Sequence, residues 1–368
     1  MNAVAAGGTV RVLVVDDSPV ARELLAHVLG GASRIQVVGM ASDGEEAVRE
    51  AERLRPDVIL MDIHLPGMDG FAATRRIMET CPTRIVMATA TSDANEVAAN
   101  FRAIDAGALA VLAKPRGPGH PRFDVEAAEL VRTVRVMSEV PVVRRWPRHA
   151  DASSAPAAPA APAAPAGLGP RPGSSIRVVV AGASTGGPIA LKELLSALPK
   201  DLPAPILVVQ HISDTFVEGF AQWLGDSSGY AVRVATDGEE TRSGVAYVAP
   251  SGSHLQVRSP GTVALVDGPK EHGVKPSVSV LFRSAAAAFG AAAAAVLLTG
   301  MGRDGAQELK LLREGGSATF AQDRESSVVF GMPGAAVALG AAQYVLPPQK
   351  IAMMLAGLVA RDRMKPHS

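Results

Sequence analysis

The chain has 368 residues, 48% of them hydrophobic, and this length and composition predict two or three domains with sizeable cores. Its 36 basic residues balance its 36 acidic residues, so the formal net charge of +0 indicates neither nucleic acid nor an anionic membrane as a partner. Cys81 is the single cysteine, which excludes an intramolecular disulfide and a cysteine-based metal cluster. Residues 1–9 lack the segments of a secretory signal, so we expect a cytoplasmic protein.

Apolar β-branched runs alternate with helical patterns in the N-terminal half. The predicted strands are Val10–Val15, Gln36–Ala41, Val58–Asp62, Arg84–Thr89 and Ala108–Leu112. The predicted helices are Val20–Leu29, Gly44–Leu54, Gly70–Thr80, Asn95–Ala106 and Ala127–Glu139. Because β–α repeats of this kind form parallel sheets, we expect an α/β fold with a doubly wound, five-stranded parallel sheet.

Polar side chains stand where these predicted strands end. Asp16 and Asp17 follow the first strand, Asp62 ends the third, Thr89 ends the fourth, and Lys114 follows the fifth. Carboxylates at one sheet edge would bind a hard cation such as Mg²⁺, and a hydroxyl and an ammonium group beside it suit phosphoryl transfer to a carboxylate. The simpler alternative is that residues 16–18 cap the helix that begins near Pro19.

This half of the chain resembles response-regulator receiver domains over residues 9–126. The resemblance rests on Val14-Val15-Asp16-Asp17-Ser18, Met61-Asp62-Ile63-His64-Leu65-Pro66-Gly67-Met68-Asp69-Gly70, Thr89-Ala90 and Lys114-Pro115. It implies a flavodoxin-like fold, phosphorylation of Asp62 and a CheA-type histidine kinase as phosphodonor. It also implies Mg²⁺ bound by Asp16, Asp17, Asp62 and the His64 carbonyl, with Thr89 and Lys114 contacting the phosphoryl group. Val111 stands where receivers often have an aromatic side chain.

Residues 145–175 are rich in alanine and proline and have almost no large apolar side chains. Such a segment cannot bury a core, and its repeated prolines favour an extended spacer. We therefore predict a first domain over residues 9–126, a linker over 145–175 and a second domain over 176–362.

The second domain begins as an α/β fold, with a predicted strand Arg177–Ala181, a helix over 188–198 and a strand Pro205–Gln210. Shorter runs follow, which we interpret as hairpins inserted in a mostly parallel sheet: Ala231–Ala235, Val245–Ala249, Leu255–Ser259 and Thr262–Val266. The uncharged stretch 284–302 is too weakly hydrophobic for a membrane span. It predicts the end of a helix Val280–Phe289 and a buried strand Ala293–Leu298, before a helix Ala306–Glu314.

Ser184 stands in a glycine turn, Gly182-Ala183-Ser184-Thr185-Gly186-Gly187-Pro188, between a predicted strand and a predicted helix. The spacing Gly-x-Ser-x-Gly is that of a nucleophile elbow, in which the turn presents the hydroxyl at the sheet edge. Glycine-rich turns of this kind also bind phosphate, and many are only tight turns. All three interpretations are compatible with the turn by itself.

A nucleophilic serine needs a base and an orienting carboxylate. His211 ends the next strand along the chain, and Asp304 lies in a further glycine turn after a strand, so both are expected at the same sheet edge. The chain order Ser, His, Asp differs from that of α/β-hydrolases. The backbone N–H groups of Met301 and Thr185 are candidate oxyanion donors. Asp304 could instead be a helix cap, and we expect His254 and His272 to be structural or solvated.

The second domain resembles the CheB family of chemotaxis protein-glutamate methylesterases. The motifs include the Ser184 turn, Gln210-His211, Pro276-Ser277-Val278, Leu298-Thr299-Gly300-Met301-Gly302-Arg303-Asp304-Gly305-Ala306, Ala321-Gln322-Asp323 and Gly331-Met332-Pro333. Ser279 stands where the family commonly has aspartate. The order of receiver, linker and esterase is similar too.

The resemblance implies a triad of Ser184, His211 and Asp304, with the Met301 amide in the oxyanion hole. It implies hydrolysis of glutamyl methyl esters on chemoreceptor helices and deamidation of receptor glutamines, with no cofactor for this chemistry. We further expect an unphosphorylated receiver to obstruct the Ser184 cleft, and phosphorylation of Asp62 to relieve this. The alternative class is a receiver-controlled binding or scaffold protein with an inactive hydrolase domain. A DNA-binding regulator would need a basic recognition segment, which the sequence after the linker lacks.

Overall fold

A computed structural model describes residues 8–90, 101, 107–140, 175–212 and 214–363. Residues 8–90 and 107–140 lie in one compact unit, and residues 175–212 and 214–363 lie in a second. The predicted helix Asn95–Ala106, apart from Phe101, and the predicted linker up to residue 174 lie outside the described residues.

The first unit is built on a five-stranded sheet with the strand order β2-β1-β3-β4-β5, and every pair of neighbours is parallel. Its described elements are β1 (Val10–Val15), α1 (Pro19–Gly30), β2 (Ile35–Ala41), α2 (Gly44–Leu54), β3 (Val58–Asp62), α3 (Gly70–Thr80), β4 (Arg84–Thr89), β5 (Ala110–Ala113) and α4 (Phe123–Glu139). The predicted doubly wound parallel sheet is confirmed.

The three central strands of this unit, β1, β3 and β4, are buried on both faces, as expected where helices cover a parallel sheet. All residues of β3 and nearly all of β1 and β4 are buried. Three of the helices follow an N-cap residue whose side chain accepts a hydrogen bond from a backbone N–H of the first turn. These N-cap residues are Ser18, Asp43 and Asp69. Since Ser18 caps α1, the two preceding aspartates are not needed for that purpose.

The second unit contains a seven-stranded sheet of order β14-β13-β12-β6-β7-β9-β8, again parallel at every pair of neighbours. Its strands are β6 (Val178–Ala183), β7 (Ile206–Gln210), β8 (Ala231–Val234), β9 (Val245–Val248), β12 (Ala293–Leu297), β13 (Ala318–Gln322) and β14 (Tyr344–Leu346). A separate antiparallel hairpin joins β10 (His254–Arg258) to β11 (Thr262–Val266). The helices are α5 (Gly187–Ala197), α6 (Val217–Ser228), α7 (Val278–Phe289), α8 (Ala306–Glu314), α9 (Met332–Ala338) and α10 (Pro348–Arg363).

The fold class is confirmed, but one predicted hairpin is wrong. The runs near Ala231 and Val245 form β8 and β9, which pair in parallel at the edge of the main sheet. The segment that connects β8 to β9 contacts the β10–β11 hairpin: Gly238 N donates to Val263 O, and Val263 N donates to Glu239 O. An alternating apolar pattern is the same in both strand orientations, so the pattern did not distinguish a hairpin from a parallel pair.

The uncharged stretch 284–302 begins inside α7 and continues through a short 3-10 turn, Gly290–Ala292, into the buried strand β12. This confirms the predicted change from helix to strand. Within the parts of the chain that are described, no helix is long and apolar enough to cross a membrane.

The strand order creates a crevice in the second unit. From β6 the chain passes to β7 on one side and later returns to β12 on the other side, so the strand order reverses at β6. In open α/β sheets, ligands bind outside the carboxyl ends of strands at such a reversal. The turns that follow β6, β7 and β12 meet at this crevice.

Candidate active site

Ser184 follows β6 directly and precedes α5, as the sequence predicts. Gly186, the residue before the helix, has φ of 78°, a left-handed conformation that glycine adopts without strain. Gly187 N donates to Ser184 O at 2.8 Å, which closes the turn. The serine side chain is therefore presented, half-buried, at the carboxyl edge of the sheet.

His211 follows β7, the neighbour of β6 in the sheet. Its backbone N–H donates to Ala183 O at 3.1 Å, which fixes the histidine beside the serine turn. The preceding Gln210 is buried and its Nε2 donates to both Ser184 O and His211 O, each at 2.9 Å. One amide group thus connects the backbones of the predicted nucleophile and base.

Asp304 is 2% exposed and lies between the His211 ring and the N-terminus of α7. His211 Nε2 lies 3.0 Å from Asp304 Oδ2. Because a carboxylate oxygen can only accept, Nε2 carries the proton and Nδ1 is the basic nitrogen. Asp304 also accepts from the hydroxyl of Ser277 at 2.8 Å and from the backbone N–H groups of Val278 at 2.7 Å and Ser279 at 3.0 Å.

These hydrogen bonds decide the charge of Asp304. Burial by itself raises the pKa of the carboxyl, but donation by His211, the Ser279 N–H and the Ser277 hydroxyl outweighs burial. The pKa of Asp304 therefore lies well below its ordinary value, and the group is ionised at neutral pH. The positive end of α7 adds to this preference. The alternative that Asp304 caps its own helix is wrong, since α8 has Gly305 at its N-cap and no side-chain cap.

The turn after β12 is fixed to the serine turn through Thr299. Ser184 N donates to Thr299 O at 3.0 Å, and the Thr299 hydroxyl lies 3.0 Å from Thr185 O. Thr299 N in turn donates to the buried Gln322 Oε1 at 2.8 Å. The three turns of the site are thus held together by buried polar side chains rather than by one local motif.

Two backbone donors point to an oxyanion site. Within the described ranges, no protein group accepts a hydrogen bond from the N–H of Thr185 or of Met301, the two donors expected from the sequence. They follow Ser184 and Gly300, whose turns are in contact. Free amides beside a serine hydroxyl are the donors that a developing oxyanion requires.

The structure brings His211 and Asp304 into contact but does not complete the predicted triad. Across the described residues, the Ser184 hydroxyl makes no hydrogen bond to the His211 ring. Hydrogen bonds between nucleophile and base are often long before substrate binds. Nδ1 of His211 has the lone pair that such a bond would use.

Gly300 provides a test of this close packing. A Cβ at Gly300 would lie 2.8 Å from Ser184 Cβ and 2.3 Å from Met332 Sδ. We expect Gly300→Ala to displace the serine turn, to destabilise the protein by about 1–3 kcal/mol and to lower the turnover rate by more than about tenfold. Thermal unfolding and ester hydrolysis would measure both effects. Gly357→Ala is the control, because nothing lies within 4 Å of the added methyl group there; wild-type turnover in Gly300→Ala would contradict this account.

The first unit holds the second polar cluster predicted from the sequence. Ligand atoms of Asp16, Asp17 and Asp62 all lie within 4.8 Å of one another. Lys114 Nζ contacts Asp16 Oδ2 at 2.7 Å and Asp62 Oδ2 at 2.8 Å, and its backbone N–H donates to Thr89 O. His64 lies in the exposed turn just after β3.

The charges of this cluster suit a divalent cation. Burial raises the pKa of Asp16, and the nearby Asp62 carboxylate raises it further, although Lys114 opposes both. Burial lowers the pKa of Lys114, but its ion pairs with the two aspartates leave it above the ordinary value. Three carboxylates with one ammonium group leave excess negative charge and oxygen donors, which suit Mg²⁺.

Several residues that build the hydrolase site had no role assigned from the sequence. Gln210 and Gln322 each end a buried apolar strand, and a polar residue at that position is a signal that sequence analysis can use. Thr299 and Ser277 gave no such signal, because their partners are distant in the sequence.

Together, the two units define a class of protein: a receiver-type acidic cluster joined to an α/β unit with a hydrolase-like site. The family model for the response regulator receiver domain matches residues 12–120, and that for CheB methylesterase matches residues 179–355.

Curated relatives match nearly the full length of the chain. One, named protein-glutamate methylesterase/protein-glutamine glutaminase 1, from Syntrophus aciditrophicus, is 51% identical over 95% of this chain and 98% of its own length. A similarly named protein from Nitrosospira multiformis is 51% identical over 95% of this chain and 97% of its own length. The crystal structure of the Thermotoga maritima CheB methylesterase catalytic domain is 40% identical, covers 50% of this chain and all (100%) of that chain, and has a TM-score of 0.49. The chain belongs to the family of protein-glutamate methylesterase/protein-glutamine glutaminases.

Proposed function

We propose that this chain hydrolyses glutamyl methyl esters on chemoreceptors and deamidates receptor glutamines, under the control of its receiver domain. Membership of the family supports this activity. The observation that carries the residue assignment is the His211–Asp304 hydrogen bond beside the Ser184 turn. The assigned triad is Ser184 as nucleophile, His211 as base and Asp304 as orienting carboxylate.

The chemistry follows from the proton positions. Ser184 Oγ attacks the ester carbonyl and its proton passes to His211 Nδ1, while the carbonyl oxygen becomes negative next to the Met301 and Thr185 amides. His211 then gives its proton to the methoxy group, which leaves as methanol. Water, deprotonated by the same nitrogen, hydrolyses the acyl-enzyme and restores the serine. A glutamine side chain follows the same route and releases ammonia.

Asp304 remains ionised throughout these steps. Its carboxylate holds the Nε2–H form of His211, so that Nδ1 keeps the lone pair needed by the serine. It also stabilises the imidazolium that forms when Nδ1 accepts the proton. The low pKa of Asp304 supports this role, because a neutral carboxyl would favour the wrong ring tautomer.

A direct assay tests the proposed activity. Membranes with chemoreceptors methylated by a radioactive methyl donor would be mixed with the purified full-length protein, and the released methanol would be counted. Release above that of the Ser184→Ala protein supports the esterase. No release from the wild type, with or without a phosphodonor, would favour a scaffold with an inactive hydrolase domain.

We propose that the first unit is phosphorylated on Asp62 by a histidine kinase. Asp16, Asp17, Asp62 and the His64 carbonyl would hold Mg²⁺, which would neutralise phosphoryl oxygens when bound. Lys114 already contacts Asp62 and would balance further negative charge there, and Thr89 would contact the phosphoryl group. The proposed consequence is a faster esterase.

Asp62→Asn is expected to abolish incorporation of phosphate from acetyl phosphate, because the amide nitrogen is no acceptor for the phosphoryl group. The esterase rate of this variant would then stay at the unphosphorylated level when acetyl phosphate and Mg²⁺ are added. Phosphate-affinity gels and methanol release measure the two effects. Asp43→Asn is the matched control, since asparagine replaces aspartate well at a helix N-cap. An Asp62→Asn protein that is as active as the phosphorylated wild type would refute the proposal that phosphorylation of Asp62 regulates the esterase.

A further inference from the structure

His254 is a second buried histidine of the hydrolase unit, and it does not belong to the proposed triad. It lies on β10, is 3% exposed and has a hydrogen-bond partner at each ring nitrogen. Nε2 lies 2.9 Å from Pro269 O, and Ser277 N lies 3.2 Å from Nδ1. A carbonyl can only accept and a backbone N–H can only donate, so the ring has its proton on Nε2 and a lone pair on Nδ1.

The partner of Nδ1 is the residue just before α7, the helix whose first turn binds the Asp304 carboxylate. Ser277 is the N-cap of α7 and is fully buried, at 0% exposed. Its hydroxyl donates to Asp304 Oδ1, and the next two backbone N–H groups donate to the same carboxylate. The orientation of the carboxylate therefore depends on the position of this helix turn.

The first turn of α7 cannot supply its own acceptor for the Ser277 N–H. In a capping box, a Glu or Gln side chain three residues after the N-cap accepts from the N-cap N–H. The residue at that position is Val280, which has no acceptor. His254 provides the missing acceptor from a different element, and a buried N–H without one would be costly.

We propose that His254 is a positioning residue for the hydrolase site. Its Nδ1 accepts from Ser277 N and so fixes the first turn of α7, which holds Asp304 in the orientation that accepts from His211. This inference rests on the proposed function for its kinetic consequence. It makes His254 different from a histidine that only fills space in the core, because a particular ring nitrogen is required.

Two substitutions separate the two ring nitrogens. In His254→Asn, the side-chain oxygen can occupy the position of Nδ1 and still accept from Ser277 N. In His254→Gln, the amide nitrogen can reach the position of Nε2 and donate to Pro269 O, but the Nδ1 acceptor is lost. Both substitutions replace the imidazole ring with a smaller amide side chain, so a loss of packing affects both variants. His272→Gln is the control, since His272 is exposed.

The kinetic readout is methanol release by the full-length protein. We expect His254→Gln to lower kcat about 10- to 100-fold with KM nearly unchanged, as for partners that orient a reacting group indirectly. His254→Asn should keep kcat within a few-fold of the wild type, and both variants should melt at similar temperatures. Equal losses of kcat in the two variants, or a wild-type kcat in His254→Gln, would overturn the proposal.

A spectroscopic readout separates failure of this inference from failure of the proposed function. The ring proton between His211 and Asp304 is expected far downfield in the proton NMR spectrum, because its acceptor is charged. It should shift upfield in His254→Gln and stay in place in His254→Asn, whether or not the protein releases methanol. An unchanged resonance in His254→Gln would overturn the proposal. If that variant does not fold, the nitrogen NMR chemical shifts of the His254 ring in the wild type test the proposal, because they show which ring nitrogen carries the proton. A proton on Nδ1 of His254 would overturn the proposal.

Discussion

Replacing Ser184 with alanine is expected to lower methanol release by roughly 10⁴–10⁶-fold while the protein keeps its fold. The reason is that alanine removes the hydroxyl that the proposed base His211 would deprotonate. The turn itself is held by backbone hydrogen bonds, from Ser184 N to Thr299 O and from Gly187 N to Ser184 O, which alanine preserves. The melting temperature should therefore change little.

The measurement compares radioactive methanol release by Ser184→Ala with that of the wild type at equal concentration. Ser196→Ala is the control, because Ser196 lies on the exposed face of the helix that follows the same turn. It should retain full activity. A Ser184→Ala protein with more than about a hundredth of the wild-type rate would contradict the assignment of the nucleophile.

Asp304→Asn is expected to reduce kcat by about 10⁴-fold. Asparagine can offer its amide hydrogens to Nε2 of His211, which would favour the tautomer with the proton on Nδ1, and that nitrogen could no longer accept the serine proton. The effect should appear in kcat rather than in KM, because Asp304 is buried and acts through its hydrogen bond to His211. Asp226→Asn, at an exposed position on α6, is the matched control.

The same substitution has a consequence for stability that depends on pH. The pKa of Asp304 is below its ordinary value in the folded protein, so the ionised group stabilises the fold above about pH 4. This contribution is lost as the pH falls from there toward the folded-state pKa. The free energy of unfolding of Asp304→Asn should therefore differ most from the wild type at neutral pH, and the difference should shrink below about pH 4. Denaturant unfolding at several pH values measures it, and a difference that is constant with pH would contradict the low pKa.

Much of the architecture could be predicted because its signals are local. The apolar runs before Ser184, His211 and Asp304 became neighbouring parallel strands, which placed these three residues at one crevice. The same reasoning placed Asp16 and Asp62 together in the first unit. These placements need only the repeat of strand and helix, since parallel strands end at the same edge.

The rest could not be predicted because it depends on contacts between distant segments. The sequence around Asp304 suggests a cap for the helix that follows, yet its carboxylate is bound by Val278 N and Ser279 N in the first turn of α7, which lie 26 and 25 residues earlier in the chain. His254 was expected to be structural or solvated, and no pattern in the sequence indicates that Ser277 is its partner. The parallel orientation of β8 and β9 was also missed, because alternation shows which residues are buried but not in which direction the neighbouring strand runs.

The arrangement of the site on separate turns also bears on biosynthesis. His211 and Asp304 lie 93 residues apart in the chain, and the Thr299 turn is completed by Gln322 on β13. A nascent chain that has been synthesised only up to β12 therefore lacks part of the site. Contacts between residues so distant in the sequence also form late in folding. On refolding from denaturant, recovery of hydrolysis should accordingly coincide with complete formation of the second unit, so that catalysis itself reports that synthesis and folding of this unit are finished.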